Sequence, residues 1–183
     1  MDLHDHETEF TAWRTRDFVR LRAMCEAEGG VDRWIDDDGE SLLHKAVRER
    51  DDAMLAFLLQ FPCARSLATF DYLGYTPLHA AAADGQADMV QRLLDAGADP
   101  NAHDEARIGN TAIREAVYGG HPEVVAMLLR AGADPTIPGW MGISAVDEAY
   151  GPTKVHGDAA EAVAIRRLLA PFPSSVRDRV DRR

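Results

Sequence analysis

The histidines are the residues of this 183-residue sequence whose type best suits acid–base chemistry. His44 and His79 each follow a leucine and stand 35 residues apart, and an unperturbed imidazole titrates near neutral pH. Catalysis would also require a nucleophile, a metal or a phosphate-binding loop, and the sequence contains no motif for any of these. Lys154 and His156, in the segment 151–157, remain as an alternative catalytic pair. We therefore predict that the protein is not an enzyme and uses no cofactor.

Two stretches of the sequence resemble metal sites at first sight. His4 and His6 form a His-x-His pair, but no cluster of further ligands accompanies them. The acidic run 36–40 resembles the start of a calcium loop, yet the EF-hand spacing would need an acid at Trp34 and a glutamate at the far end. Because Asp and Gly are also common turn residues, we interpret this run as a turn before Ser41 and predict no metal site.

The elements that hold these side chains recur along the chain. A Gly-x-Thr or Gly-x-Ser triplet returns at intervals of 35, 35 and 33 residues, and paired leucines follow each of the first three triplets in step. The triplets begin at Gly39, Gly74, Gly109 and Gly142. Within the complete unit 74–102, Thr76 is placed to cap a helix, Pro77 occupies its first position, and Gly97 ends a second helix. Such short helices are marginal alone, so the units are expected to stack.

The Thr-Pro-Leu-His-x-Ala core at residues 76–81, within a period near 33 residues, resembles the ankyrin repeat. This resemblance implies an all-α fold, an ankyrin-repeat solenoid of stacked helix–turn–helix units joined by β-turn loops. We expect flexible tails at 1–9 and 171–183 and an array over 10–170. The array is divided into an N-terminal cap 10–35, repeats 36–70, 71–105 and 106–138, and a C-terminal repeat or cap 139–170.

The resemblance also assigns structural roles to several titratable residues. It implies that His44 and His79 bind the backbone of neighbouring loops and tie repeats together, and that His121 is structural as well. Arg114 and Asp147 replace the histidine in the later repeats, so we expect this ladder to weaken toward the C-terminus. Three acids could be imagined as paired catalytic carboxylates, but we expect them to be solvated on helix faces. They are Asp84, Glu115 and Glu148.

The formal net charge of −11 limits the kinds of molecule that the protein is expected to bind. An acidic surface repels phosphate backbones and anionic lipids, so neither nucleic acid nor a membrane is expected as a partner. It favours a basic protein, although acidity also serves solubility alone. No stretch is apolar enough to span a membrane, and the N-terminus lacks a signal-peptide layout, which predicts a cytoplasmic protein. Cys25 and Cys63 are expected to be buried thiols.

By resemblance, partners of this family lie along a concave groove formed by the turns and the first helices. Several of the mapped positions carry aromatic or aliphatic side chains flanked by charge, which is the composition of an interaction hot spot. The predicted protein-binding residues are Asp37, Asp38, Glu40, Tyr72, Leu73, Tyr75, Asp84, Arg107, Ile108, Asn110, Tyr118, Trp140 and Met141.

These observations predict a non-enzymatic protein–protein interaction module, monomeric by itself, that inhibits or neutralises a basic protein. The alternative is a self-associating scaffold whose acidic groove is occupied by its own basic tail 171–183 or by a second copy of the chain. An enzyme with a site near the segment 151–157 is the third interpretation.

Overall fold

The computed structural model describes residues 11–32, 34–36, 38–106, 109–151 and 159–173. These residues form helices and turns, and the β-pairing among them is an isolated bridge between Ile35 and Ser41. After a short helical stretch at 11–14, the helices are α1 (Phe18–Glu28), α2 (Leu42–Arg48), α3 (Asp52–Leu58), α4 (Ala64–Ala68), α5 (Pro77–Ala83), α6 (Ala87–Asp95), α7 (Ala112–Gly119), α8 (Pro122–Arg130), a 3₁₀ turn (Trp140–Gly142), α9 (Ala145–Tyr150) and α10 (Ala159–Leu169).

The helices pack as four successive pairs, α2–α3, α5–α6, α7–α8 and α9–α10. The first helices of the pairs contact one another in order (α2, α5, α7, α9), and the second helices do the same (α3, α6, α8, α10). Each unit therefore rests on its neighbours in the chain, which is the arrangement of a solenoid. The predicted all-α solenoid is confirmed.

One continuous hydrophobic core runs through the stack from Ala12 to Leu169. The leucines that recur in the second helices, Leu58, Leu93 and Leu128, are each fully buried. Helices of seven to nine residues do not hold their shape alone in water, so burial between neighbouring units stabilises them. The two cysteines are buried free thiols, as expected.

The first unit departs from the others at both of its turns. Arg50 adopts a left-handed φ of 55° at the position that Gly85 and Gly120 occupy in the next two units. Where the sequence lacked a regular repeat ending, the chain forms the short helix α4. Its N-cap residue makes no side-chain cap, and the Asp32 carboxylate accepts the N–H groups of Arg65 and Ser66 at 3.0 and 2.7 Å instead.

Candidate binding surface

The exposed apolar side chains concentrate on one part of the stack. We call it the turn face: the turns 36–41, 71–76, 109–111 and 139–144, with the adjoining helices α2, α5, α7 and α9. Seven large hydrophobic side chains are exposed among the described residues, and only Val19 and Val163 lie outside this face. The five on the turn face are Tyr72, Leu73, Tyr118, Trp140 and Met141, with exposed fractions of 59, 37, 47, 59 and 73%.

The turn before α9 has an unusual backbone. Met141 adopts a left-handed conformation (φ 60°, ψ 19°) within the 3₁₀ turn Trp140–Gly142. A non-glycine residue in this region is strained by an amount on the order of 1 kcal/mol, and such strain occurs often at functional sites. The exposed side chains of Trp140 and Met141 thus lie on a turn whose backbone conformation is energetically unfavourable.

Tyr75 differs from the other predicted aromatic residues, because it is half-buried rather than exposed. Its ring stacks on that of His79 with centroids 5.8 Å apart and planes 3° from parallel. Its hydroxyl hydrogen-bonds to the Glu115 carboxylate, and burial, followed by the nearby negative charge, raises the pKa of Tyr75 above its ordinary value. The expectation of an exposed anchor at Tyr75 is corrected: much of this side chain serves contacts within the stack.

The histidine ladder is present in the first two units. The Nε2 atom of His44 lies 2.9 Å from the Tyr75 carbonyl oxygen, and Nε2 of His79 lies 2.8 Å from that of Asn110. Since a carbonyl only accepts, Nε2 carries the proton, and Nδ1 of His79 accepts the Thr76 N–H at 3.1 Å. Burial lowers the pKa of both imidazoles, and that of His79 to about 4. These neutral histidines join neighbouring units, as the resemblance implied.

The third unit replaces the ladder with a buried ion pair. Arg114 stands at the histidine position, and its guanidinium donates to Glu148 at 3.0 Å, with side-chain exposures of 8 and 3%. The Thr111 hydroxyl, whose counterpart Thr76 contacts a histidine, is buried without a partner. The histidine ladder does not continue into the third unit, and a charged link between α7 and α9 takes its place.

The expectation of solvated acids holds for Asp84 alone. Asp84 is exposed, whereas Glu115 and Glu148 are 7 and 2% exposed. The Glu115 carboxylate accepts the Asn110 side-chain amide at 2.6 Å, and Glu148 accepts from Arg114. The sequence indicated helix positions that carry acids, but it did not show that neighbouring side chains enclose two of them.

The acids near the N-terminal end of the turn face contact cations of the same chain. Lys45 lies 3.1 Å from Asp36, and Arg50 lies 3.6 Å from Asp84. Arg48 bridges Glu40 and the fully buried Asp71. Asp38 is exposed. The acidic surface expected there is therefore partly neutralised by lysine and arginine side chains of the same chain.

Asn110 makes contacts within the stack through its backbone and its side chain. Its side-chain oxygen accepts from Arg114 and from the Trp140 N–H, the latter at 3.0 Å. The other predicted positions Asp37, Arg107, Ile108, Lys154 and His156 lie outside the described residues.

The described part of the chain bears on two further site classes. It contains no group of three or more histidine, cysteine or acidic side chains arranged to bind a metal ion. It also contains no helix whose length and apolar character would let it cross a bilayer.

Comparisons with known proteins agree with this architecture. A family model described as ankyrin repeats (3 copies) matches residues 16–104 and 73–138. NF-kappa-B inhibitor alpha of Sus scrofa is 32% identical over 108 residues, which are 56% of this chain and 33% of that protein. Oxysterol-binding protein-related protein 1 of Homo sapiens is 41% identical over 81 residues (44% and 8%), and Rabankyrin-5 of Mus musculus is 33% identical over 79 residues (43% and 7%). The chain thus spans a third or less of the length of these relatives.

Proposed function

Because the chain belongs to the ankyrin repeat family, whose members are protein–protein interaction modules and typically not enzymes, we propose that it binds a partner protein along the concave groove formed by its turn face. The observation that carries this proposal is the concentration of exposed apolar side chains there. Five such side chains lie on the turns of the second and fourth units and on α7 of the third, with Val19 and Val163 alone outside the turn face among the described residues, and exposed apolar side chains of this kind are suited to docking.

We divide the predicted binding residues by the contacts they already make. The exposed side chains Tyr118, Trp140 and Met141 would act as anchors, with Tyr72 and Leu73 beside them. Aromatic side chains contribute much of the energy of protein interfaces, because they bury large areas at a modest entropic cost. Asp38, Glu40 and Asp84 would form the charged end. The binding roles of Asp37, Arg107 and Ile108 remain predictions from the repeat positions.

The charges of the turn face support a basic partner. Without the buried Asp71, Arg114, Glu115 and Glu148, residues 36–50, 71–85, 109–120 and 139–151 hold seven acids and three bases, a formal net charge of −4. Each of these three bases contacts a carboxylate of its own chain. An acidic partner would therefore find these cations engaged, whereas a basic partner would meet carboxylates in excess. We propose that binding inhibits or neutralises such a basic protein, in keeping with the name of one relative, NF-kappa-B inhibitor alpha.

Affinity purification from host-cell extract with mass spectrometry tests the proposal. The bait is the wild-type chain, beside a Tyr118→Ala/Trp140→Ala variant and a control Val19→Ala/Val163→Ala. The control truncates the exposed apolar side chains that lie outside the turn face. We expect the wild type and the control to retain the same basic protein, and the turn-face variant to lose on the order of 2–4 kcal/mol of binding free energy.

Two outcomes would contradict this function. Equal capture by the turn-face variant would place the interface elsewhere on the chain. Association kinetics that do not slow between about 50 and 500 mM salt would contradict the basic partner, since screening weakens steering between opposite charges. If the protein is instead a self-associating scaffold, deletion of residues 171–183 should convert an oligomer into a monomer in solution. A monomeric binding module should be a monomer with or without these residues.

A further inference from the structure

Asn110 was predicted to contact the partner, but its hydrogen bonds indicate a different task. Its backbone carbonyl accepts from His79 of the second unit at 2.8 Å. Its side-chain amide donates to Glu115 of its own unit at 2.6 Å, and its side-chain oxygen accepts the backbone N–H of Trp140 from the fourth unit at 3.0 Å. One asparagine thus joins three units of the stack at the level of their turns.

The chemistry of the neighbours fixes the orientation of this side chain. The Trp140 N–H and the Arg114 guanidinium only donate, and an ionised Glu115 only accepts. Only a primary amide of this length has both an oxygen that accepts from Trp140 and Arg114 and an NH₂ group that donates to Glu115. Glu115 also binds the Tyr75 hydroxyl, so the same network reaches the turn of the second unit.

The turn that contacts the Asn110 side chain has a glycine, Gly139, at the point of closest approach. Gly139 is the residue before Trp140 and lies against the Asn110 side chain. A Cβ atom there would lie 2.6 Å from the Asn110 side-chain oxygen and 3.1 Å from the Arg114 guanidinium. A side chain at 139 would therefore displace the Asn110 side chain from its hydrogen bonds. The turn that carries Trp140 and Met141 fits closely against Asn110.

We infer that Asn110 is a positioning residue that fixes the exposed Trp140–Met141 turn relative to the second and third units, rather than a residue that touches the partner. This inference rests on the proposed function of the turn face. A turn held before binding loses less conformational freedom when the partner docks, so the network would increase affinity without contributing contact area. The Arg114 side chain, which donates to the Asn110 side-chain oxygen, is more than nine-tenths buried and is held in turn by Glu148.

Amide hydrogen exchange of Trp140 tests the inference without any partner. The Trp140 side chain is exposed, yet its N–H is bound to Asn110, so we expect a protected amide in the wild type. In Asn110→Ala this amide should exchange about fivefold faster or more, because it loses its acceptor. Gly139→Ala should have the same effect through the steric conflict with Asn110. Unchanged Trp140 exchange in both variants would overturn the inference.

Asn101→Ala is a matched control. Asn101 also bridges neighbouring units, with its amide donating to the Gly132 carbonyl at 3.0 Å and its side-chain oxygen accepting the Asp134 N–H at 2.7 Å. It does so near the ends of α6 and α8, away from the turn face. We expect Asn101→Ala to leave Trp140 exchange unchanged. Equal acceleration in this variant would mean that any loss of stability frees the turn, which would contradict a specific role for Asn110.

Binding separates this inference from the function on which it rests. With the protein captured by the wild-type bait as the probe, Asn110→Ala should bind about tenfold more weakly, and Asn101→Ala should bind normally. If Asn110→Ala binds normally while Tyr118→Ala/Trp140→Ala does not, Asn110 does not position the surface and the proposed function stands. If neither variant loses the captured protein, the binding surface and the positioning role are both wrong.

Discussion

Equivalent positions in the four units carry different chemistry. His44 and His79 make the same pair of contacts, whereas Arg114 forms an ion pair and Asp147 accepts the Ser144 N–H and hydroxyl at the start of α9. In the first two units a neutral imidazole donates at one nitrogen and accepts at the other. Protonation would place a second N–H opposite the Thr76 N–H in the case of His79. The buried histidines therefore make stability depend on pH.

Acidification from pH 7 to pH 5 should lower the free energy of unfolding. The pKa of His79 falls to about 4 in the folded protein from an ordinary value of 6.5, so the unfolded chain binds the proton first. This contribution is complete above pH 6.5 and is lost as the pH falls toward 4. The loss reaches about 2 kcal/mol at pH 5, and His44, whose pKa is shifted in the same direction, adds to it. Urea denaturation at both pH values measures the effect.

A His79→Gln variant provides the comparison. Glutamine cannot titrate in this range, so the loss of stability between pH 7 and pH 5 should be smaller in the variant, whatever its stability at pH 7. If the variant shows the full pH dependence of the wild type, the buried imidazole of His79 is not its source.

At the scale of elements, α7 and α9 are joined by charge where the earlier first helices are joined by neutral hydrogen bonds. The guanidinium of Arg114 and the carboxylate of Glu148 are both buried, and one polar atom of each, Nε and Oε1, has no hydrogen-bond partner. A buried ion pair regains its desolvation cost only when geometry and hydrogen bonding are complete. This link specifies how α9 sits on α7 more than it stabilises the contact.

Removing one partner of this ion pair should therefore be costly, and replacing both should be tolerated. Glu148→Ala leaves a buried guanidinium uncompensated and should lower the free energy of unfolding by about 3–5 kcal/mol. The double variant Arg114→Met/Glu148→Leu should recover most of that loss. Chemical denaturation of the three proteins tests this, and a double variant as unstable as Glu148→Ala would show that the pair stabilises the fold outright.

At the scale of the molecule, stability comes from contacts between neighbouring units. Leu93 of α6 is fully buried in the core shared along the stack, whereas the adjacent Leu94 is only partly buried. Each unit contacts those beside it in sequence, so a defect in the central unit weakens two interfaces at once.

Leu93→Ala should lower the free energy of unfolding by about 2–5 kcal/mol, because it removes buried methyl groups and leaves a cavity. Leu94→Ala, a truncation of the same size at a partly exposed position, should cost clearly less. Thermal and urea denaturation of both variants measure the difference. Equal losses would indicate that the buried Leu93 contributes no more to the packing between units than the partly exposed Leu94.

The sequence determined the architecture of this protein. The triplets at 33–35-residue intervals, the Thr-Pro-Leu-His-x-Ala core and the leucine pairs each encode a local step, either a cap, a helix or a buried stripe, so short-range chemistry predicted the stacked helical pairs. The resemblance to the ankyrin repeat implied the histidine ladder and the positions of Tyr72, Tyr118 and Trp140 on the turn face. All of these depend on positions within one unit or on repetition of the unit.

Only the tertiary structure decided which side chains of the predicted surface are free to meet a partner. Tyr75 and Asn110 occupy the same repeat position, but a hydrogen-bond network with Glu115 engages both. Arg114 and Glu148 are buried together because α9 brings a carboxylate to a place where earlier units offer a carbonyl. Such contacts join residues about 30 to 40 positions apart through the fit of individual side chains. Periodicity along the chain contains no information about that fit.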